Sequence, residues 1–265
     1  MVELERALSS LHLSDTKSLP SASLPSAVQH RYAARLRFST DETIFSTDTL
    51  DGWLQPESSH YAGLMVKRPS HGRWDCYQSI IDEAAEARFG NARTLSTEAL
   101  NGDPVHVRKQ IGLLLEKAAL PADLSQQIAR DACNLGAVLG AMCGTLTRVL
   151  EIKLEVFGEN SCNRWHRDNY AGRAIVSYTG AMGTQYTSDE NVDFWELEHC
   201  GVNEHIIHDA CEICAAEVGD LLFMKGLRYP GAGAKGLIHK SPEKRYHADG
   251  RVVNRLVLKV DVPRD

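Results

Sequence analysis

Trp165-His166-Arg167-Asp168-Asn169-Tyr170 sets an imidazole and a carboxylate two residues apart. A run that alternates as a strand does comes shortly before it, with Leu150, Ile152, Leu154 and Val156 on one parity and Glu151, Lys153, Glu155 and Phe157 on the other. In an extended chain, residues i and i+2 point to the same side, so His166 and Asp168 can converge on one point, which suits a metal ion. Two ligands leave a site incomplete, and His239, in a short apolar run behind a turn-rich loop, is the candidate third. Two neutral nitrogens and one carboxylate form the facial triad that leaves three positions open on a non-haem ferrous ion, as an oxygenase needs. Arg255, inside Asn254-Arg255-Leu256-Val257-Leu258, adds a fixed guanidinium of the kind that grips the far carboxylate of a dicarboxylate co-substrate. A polar insert over residues 244–251 makes Arg251, and less so Arg245, rivals for that role. Arg255 is preferred because it begins the one convincing strand there.

The elements that must position these groups divide the chain. Residues 1–28, rich in Ser, Leu and Pro, read as an irregular N-terminal arm. Residues 29–147 read as helix-rich: two short alternations near residues 34–38 and 43–47, then helices over 76–87, from Pro104, and from Pro121 to Gly144, their apolar stripes assigned to packing. Residues 148–265 read as strands, over 148–157, 165–169, 173–179, 185–187, 193–198, 221–224, 236–239 and 255–261, with glycine-rich turns. Many short strands without intervening helices predict an antiparallel sandwich or barrel. The fold class is therefore α+β, with the helix-rich half packed on the β core and both forming one folded unit.

Composition excludes several function classes. With 43% hydrophobic and 24% charged residues, the balance is that of an ordinary globular chain. A formal charge of −6 without long runs of like charge argues against nucleic acid. No apolar run reaches the about 18 residues of a membrane helix, and the N-terminus lacks the order of a secretion signal, so a cytoplasmic protein is expected. Seven cysteines, an odd number spread along the chain, read as reduced thiols.

Residues 166–261 resemble the iron(II)/2-oxoglutarate-dependent oxygenases, and within them a microbial and fungal branch. The matching pieces are His166-x-Asp168, Arg173 with its strand to Tyr178-Thr179-Gly180, Gly183-Thr184, Val218-Gly219-Asp220, Lys225-Gly226, Pro230-Gly231, His239-Lys240-Ser241-Pro242 and Arg255-Leu256-Val257-Leu258. The resemblance implies a double-stranded β-helix, a jelly-roll or cupin-like core. It also implies Fe(II) on His166, Asp168 and His239, 2-oxoglutarate with its 5-carboxylate on Arg255, and O2 as co-substrate. A C–H bond of the substrate would be oxidised with release of succinate and CO2. Because Asp168 occupies its position in the triad, hydroxylation, desaturation or ring closure is expected rather than halogenation.

Substrate contacts are read from basic and aromatic residues near the triad. Arg173 meets a substrate carboxylate in the barrel mouth or pairs with a surface acid, and Lys225, Arg228 and Tyr229 lie on a glycine-flanked loop before His239. They suggest a small carboxylated, amino-acid-like substrate, with no nucleic acid or membrane partner. Trp165 and Tyr170 read as packing residues, and Ser177 and Thr184 as hydroxyls within reach of the co-substrate. A second cluster, His199, Cys200, His205, His208, Cys211 and Cys214, has zinc-like spacing at Cys211-x-x-Cys214. Two other functions therefore stand beside the oxygenase: a cupin-like protein that binds metal and a small ligand without turnover, and a zinc-stabilised interaction domain.

Overall fold

The structure, a computed structural model, describes residues 43–68, 75–230 and 236–263. Among these, ten strands follow in order: β1 (Ile44–Thr47), β2 (Gly63–Val66), β3 (Thr94–Leu100), β4 (Val149–Phe157), β5 (Gly172–Ser177), β6 (Gln185–Thr187), β7 (Cys214–Ala215), β8 (Leu221–Lys225), β9 (Ile238–Lys240) and β10 (Arg255–Val262). The helices are α1 (Gln78–Ala87), α2 (Pro104–Ala118), α3 (Ala122–Cys143), α4 (Phe194–His199) and α5 (Asn203–Ile206). Seven strands form a large sheet in the order β1-β2-β8-β5-β10-β4-β3, and three form a small sheet, β7-β6-β9. Every pairing is antiparallel except β1 with β2.

The alternation read over residues 150–157 decides what lies on each face of the large sheet. Leu150, Ile152, Leu154 and Val156 of β4 lie level with Leu256, Leu258 and Val260 of β10, all completely buried. They join Phe223 and the apolar stripes of α2 and α3 in one cluster. α2 starts cleanly because Pro104 needs no N–H partner there, while the Asp103 carboxylate accepts from the amides of Val105 and His106, at 3.0 Å each. α3 is fastened by a buried carboxylate as well. Asp131 accepts from both terminal nitrogens of Arg68 (2.8 and 3.1 Å), from the Tyr178 hydroxyl at 2.8 Å and from Gln127.

The opposite face meets the small sheet. Met65, Ile175, Leu222, Met224 and Val257 pack there against Tyr186, Ala216 and Leu237. Toward β4 the same face turns polar, carrying Glu151, Lys153, Glu155, Lys259, Asp261, Arg173 and Arg255 at matched register positions. After β4 the chain alternates between sheets: residue 166 bridges to β9 of the small sheet, β5 is large, β6 and β7 small, β8 large, β9 small and β10 large.

Several expectations are corrected. The strand over 165–169 is a single bridge at His166, because the following backbone leaves the sheet and pairs with the end of β8: Leu227 donates to the Asp168 carbonyl and Gly226 to that of Ala171. The strand expected over 193–198 is instead helix α4 (Phe194–His199), since the Asp193 side chain accepts from the Glu196 amide at 3.0 Å and caps its start. β2 and β3, both before residue 148, are strands where the sequence pattern suggests none, and they join the large sheet on either flank. The alternation near 43–47 is β1, whereas residues 34–38 and the arm over 1–28 lie outside the described residues.

Gly226 is the point where β8 passes under the ligand segment, and a Cβ there would overlap the Tyr170 carbonyl oxygen and press on that of Asp168. Gly226→Ala is therefore expected to cost about 1–3 kcal/mol in denaturant unfolding. A variant as stable as the parent would show that this approach is not tight.

Candidate metal centre

His166 and His239 face each other across a narrow bridge, each backbone amide donating to the other's carbonyl at 3.0 Å. Tyr186 is opposite His239 and Cys214 opposite Tyr186, so Cys214, Tyr186, His239 and His166 stand in one cross-strand row. Each imidazole contacts a carbonyl oxygen two residues back through Nδ1: His166 to Arg164 at 2.8 Å and His239 to Leu237 at 2.9 Å. A carbonyl only accepts, so Nδ1 carries the proton and Nε2 is left with a bare lone pair. Both Nε2 atoms turn toward Asp168, at 4.0 Å from Oδ1 for His166 and 3.6 Å from Oδ2 for His239.

One donor atom from each of the three residues lies within 4.8 Å of the others. Nitrogen and oxygen ligands at about 2.0–2.2 Å from one ion sit roughly 3–3.5 Å apart, so small side-chain shifts close the cage. Burial, opposed by Asp168 and reinforced by His166, pushes the His239 imidazole down to about 4, which keeps it neutral and able to ligate at pH 7. His239 and Asp168 are buried, while the His166 side chain is 36% exposed and forms the open side of the site. A cleft of about 330 Å³ opens beside it, bordered by Trp165, Arg167, Leu197, Glu198 and Leu227.

Asp168 Oδ2 hydrogen-bonds to no group among the described residues, whereas Oδ1 accepts from Arg173 Nη1 at 3.0 Å. The same guanidinium donates through Nε and Nη2 to Asp261, which also accepts from Lys153 at 2.9 Å. Burial alone would raise the Asp261 carboxyl, but Arg173 and Lys153 outweigh it and hold it below its ordinary value. Arg255 is buried on the same face, its guanidinium over the Phe157 ring at 5.5 Å, with Nη2 donating to Ser241 Oγ at 3.2 Å. Its Nη1 has no hydrogen-bond partner among the described residues, and the nearby Glu155 is ion-paired to Lys259 at 2.6 Å. Burial, only partly offset by Glu155, pushes Arg255 down to about 10. Its rivals lie on the surface: Arg245 is exposed and Arg251 is exposed and paired with Asp249.

The family model described as "Protein of unknown function (DUF1826)" matches residues 53–261, a span that holds all of these groups. The chain belongs to the DUF1826 family. No curated protein matches it. Among solved structures, the DUF1826 chain is similar to dioxygenase for auxin oxidation 1 from Arabidopsis thaliana in complex with 2-oxoglutarate. The identity is 7% and the TM-score 0.44, over 84% of this chain and 92% of that one. The rice dioxygenase for auxin oxidation gives 7%, 0.43, 84% and 83%. A full-length Neurospora crassa protein in complex with alpha-KG gives 9%, 0.39, 86% and 86%. Likeness at this level says nothing of which residues act or on what.

The remaining site candidates of the DUF1826 chain are dispersed. Arg173 is used up between Asp168 and Asp261 and is not free for a substrate carboxylate. Lys225 shares its face of β8 with Phe223, on the helix side of the sheet, where its ammonium donates to the carbonyls of Ser58 and Ser59 (3.0 and 2.8 Å). Burial pushes it down to about 8. Tyr229 packs edge-on against Phe223, on that same side. Arg228 lies nearer the ligands, donating to Asn169 at 3.1 Å. Trp165 is core, Tyr170 lies under the cations of Lys153 and Arg173, and Ser177 and Thr184 are buried. Cys211 and Cys214 belong to no group of three metal donors among the described residues, and Cys214 packs in the apolar layer between the sheets.

Sequence reading gives no role to Asp261, Lys259, Glu155 and Lys153, although charges at alternate positions of otherwise apolar strands are a usable sign of a polar inner face. Breaking a buried ion pair strands the other charge. Arg173→Ala is therefore expected to cost about 3–5 kcal/mol in unfolding, and its loss from behind a ligand should weaken Fe(II) binding about 10–100-fold by titration. Unchanged affinity would separate Arg173 from the centre. Because folding lowers the Asp261 pKa, its stabilisation is complete above the unfolded carboxylate's value, about 3.9. That stabilisation is lost as pH falls through the lower folded value. Asp261→Asn should flatten this acid limb of the stability profile.

Proposed function

We propose that this chain is a non-haem Fe(II)/2-oxoglutarate-dependent oxygenase acting on a C–H bond of a small, carboxylated, amino-acid-like molecule in the cytoplasm. The observation that carries the reading is the donor set: two bare imidazole Nε2 atoms and an unbonded carboxylate oxygen, converging on one point. Two nitrogens and one oxygen on one side of an ion form the facial arrangement that leaves positions open. The strand order supports it, because a chain that alternates between two facing sheets in this way winds a jelly roll, here read as a double-stranded β-helix.

His166, Asp168 and His239 would hold the iron. Arg255, a buried cation with an unbonded Nη1 and no ion pair of its own among the described residues, would take the 5-carboxylate of 2-oxoglutarate. Iron and 2-oxoglutarate, with O2, would supply the oxidation that breaks the substrate bond, releasing succinate and CO2. The chain's own part is orientation and exclusion of water. Leu237 and Arg164 carbonyls fix the imidazole tautomers, Arg173 aims the Asp168 carboxylate, and the apolar layer below Val257 and Ile175 keeps the inner side dry. Substrate would arrive by the cleft beside His166, the exposed ligand, whose volume suits a small molecule. With Asp168 filling its position, hydroxylation, desaturation or ring closure is the outcome.

The test is succinate release by chain supplied with Fe(II), 2-oxoglutarate, ascorbate and O2, across a panel of amino acids and small carboxylic acids. Substrate-dependent succinate that His239→Ala abolishes is the expected result. Arg255→Ala should raise the 2-oxoglutarate Kd about 30-fold or more, as loss of a buried charged partner does, with Arg255→Lys in between. Undiminished 2-oxoglutarate affinity in Arg255→Ala would remove this anchor. Metal and 2-oxoglutarate binding without turnover on any of the panel would favour the non-catalytic binding protein.

A further inference from the structure

A second group of metal-type donors lies outside the triad. Glu196 and Cys200 are four residues apart, one turn along α4 and its C-terminal cap, and His205 is on α5. A donor atom from each lies within 4.8 Å of the other two. Cys200 Sγ is 3.6 Å from His205 Nδ1, and His205 Nδ1 is 3.9 Å from Glu196 Oε2. Ligands in a tetrahedral zinc site, with Zn–S about 2.3 Å and Zn–N or Zn–O about 2.0–2.1 Å, stand about 3.6 Å (S to N) and about 3.3 Å (N to O) apart. The observed separations are already close to those values.

Two further features point to a ligand. Glu196 Oε2 is buried and has no hydrogen-bond partner among the described residues, which is costly for a carboxylate oxygen unless a cation meets it. The turn between the helices is also pre-shaped. Gly201, at φ +74°, adopts the left-handed conformation that glycine takes without strain, and both Cys200 and Gly201 donate to the Glu196 carbonyl, reversing the chain so that His205 returns over Cys200. All three donors come from residues 196–205, so little chain entropy is lost in closing the site.

We propose that Glu196, Cys200 and His205 bind a zinc ion, with water as the fourth ligand. The thiolate selects zinc over the hard, oxygen-preferring cations. The site uses neither Cys211 nor Cys214. Its place in the fold gives it a role, because α4 also supplies Leu197 and Glu198 to the cleft beside His166. Zinc would clamp the turn that carries this wall, independently of whether the triad turns anything over.

Cobalt(II) reports the site by its thiolate-to-metal charge-transfer absorption in the near ultraviolet, and the triad, which has no sulfur, cannot produce that band. Cobalt titrated into the reduced full chain should give the band, and zinc should bleach it. Cys200→Ser, a change at an exposed position, should abolish the band while the far-ultraviolet circular dichroism stays unchanged. Zinc should also slow amide exchange over residues 194–206 in the parent chain and not in Cys200→Ser. No thiolate band in the parent, or a band that survives Cys200→Ser, overturns the proposal.

Discussion

The Arg173 guanidinium is the joint on which the site hangs. It lies between two carboxylates, Asp168 of the ligand segment and Asp261 of β10, and is itself largely buried. Charges out of water are tolerated only when paired and fully hydrogen-bonded, so each of these groups depends on the others. The run continues through Lys153 to Glu151, at the margin of the sheet. The run holds three carboxylates (Asp168, Asp261, Glu151) and two cations (Arg173, Lys153), with Asp168 at the end where the two imidazoles converge. A site with two bare Nε2 atoms and a carboxylate oxygen that meets no hydrogen-bond donor among the described residues is prepared for a cation.

That arrangement requires one sheet face to serve two purposes. The side covered by α2 and α3 is mostly apolar and supplies the core, with Lys225 and Asp131 as buried charged groups among it. The inner side is apolar where it meets β6 and β9 and charged where it approaches β4. Strand alternation lets β10 carry both, with Leu256, Leu258 and Val260 on one side and Arg255, Lys259 and Asp261 on the other. The helices thus stabilise the sheet without reaching the metal ligands.

How much of this is legible in the sequence varies with the range of the interaction. His166 and Asp168 are legible because i, i+2 spacing is local, and the two long helices because Pro104, Pro121 and their stripes are local as well. His239 and Arg255 become candidates through their order along a resembled family. Arg173 is legible as a residue but not in its role, because its partner Asp261 is set by strand register across distant sequence. Lys225 is the last residue of β8, and its parity, which turns it to the helix side, depends on where that strand ends. Over 193–198 a short apolar alternation loses to one capping carboxylate, a signal present in Asp193-x-x-Glu196 and easily outweighed by pattern. β3 escapes notice because its inward row pairs Leu95 with the polar Thr97 and the small Ala99, while Leu100 points outward and is exposed, so no apolar alternation stands out.

The flanks of the large sheet come from the early part of the chain. β3 covers the outer edge of β4, and β2, with β1 beyond it, covers that of β8. The strands that carry or support the metal centre therefore have no lateral edge of their own on that sheet; among the described residues its edge strands are β1 and β3. A piece cut at residue 148 would keep every ligand and lose both covers, leaving two rows of unpaired backbone groups ready to join neighbouring molecules. For grafting, shortening or rearranging this chain, the smallest transferable part is thus the whole span from β1 to β10.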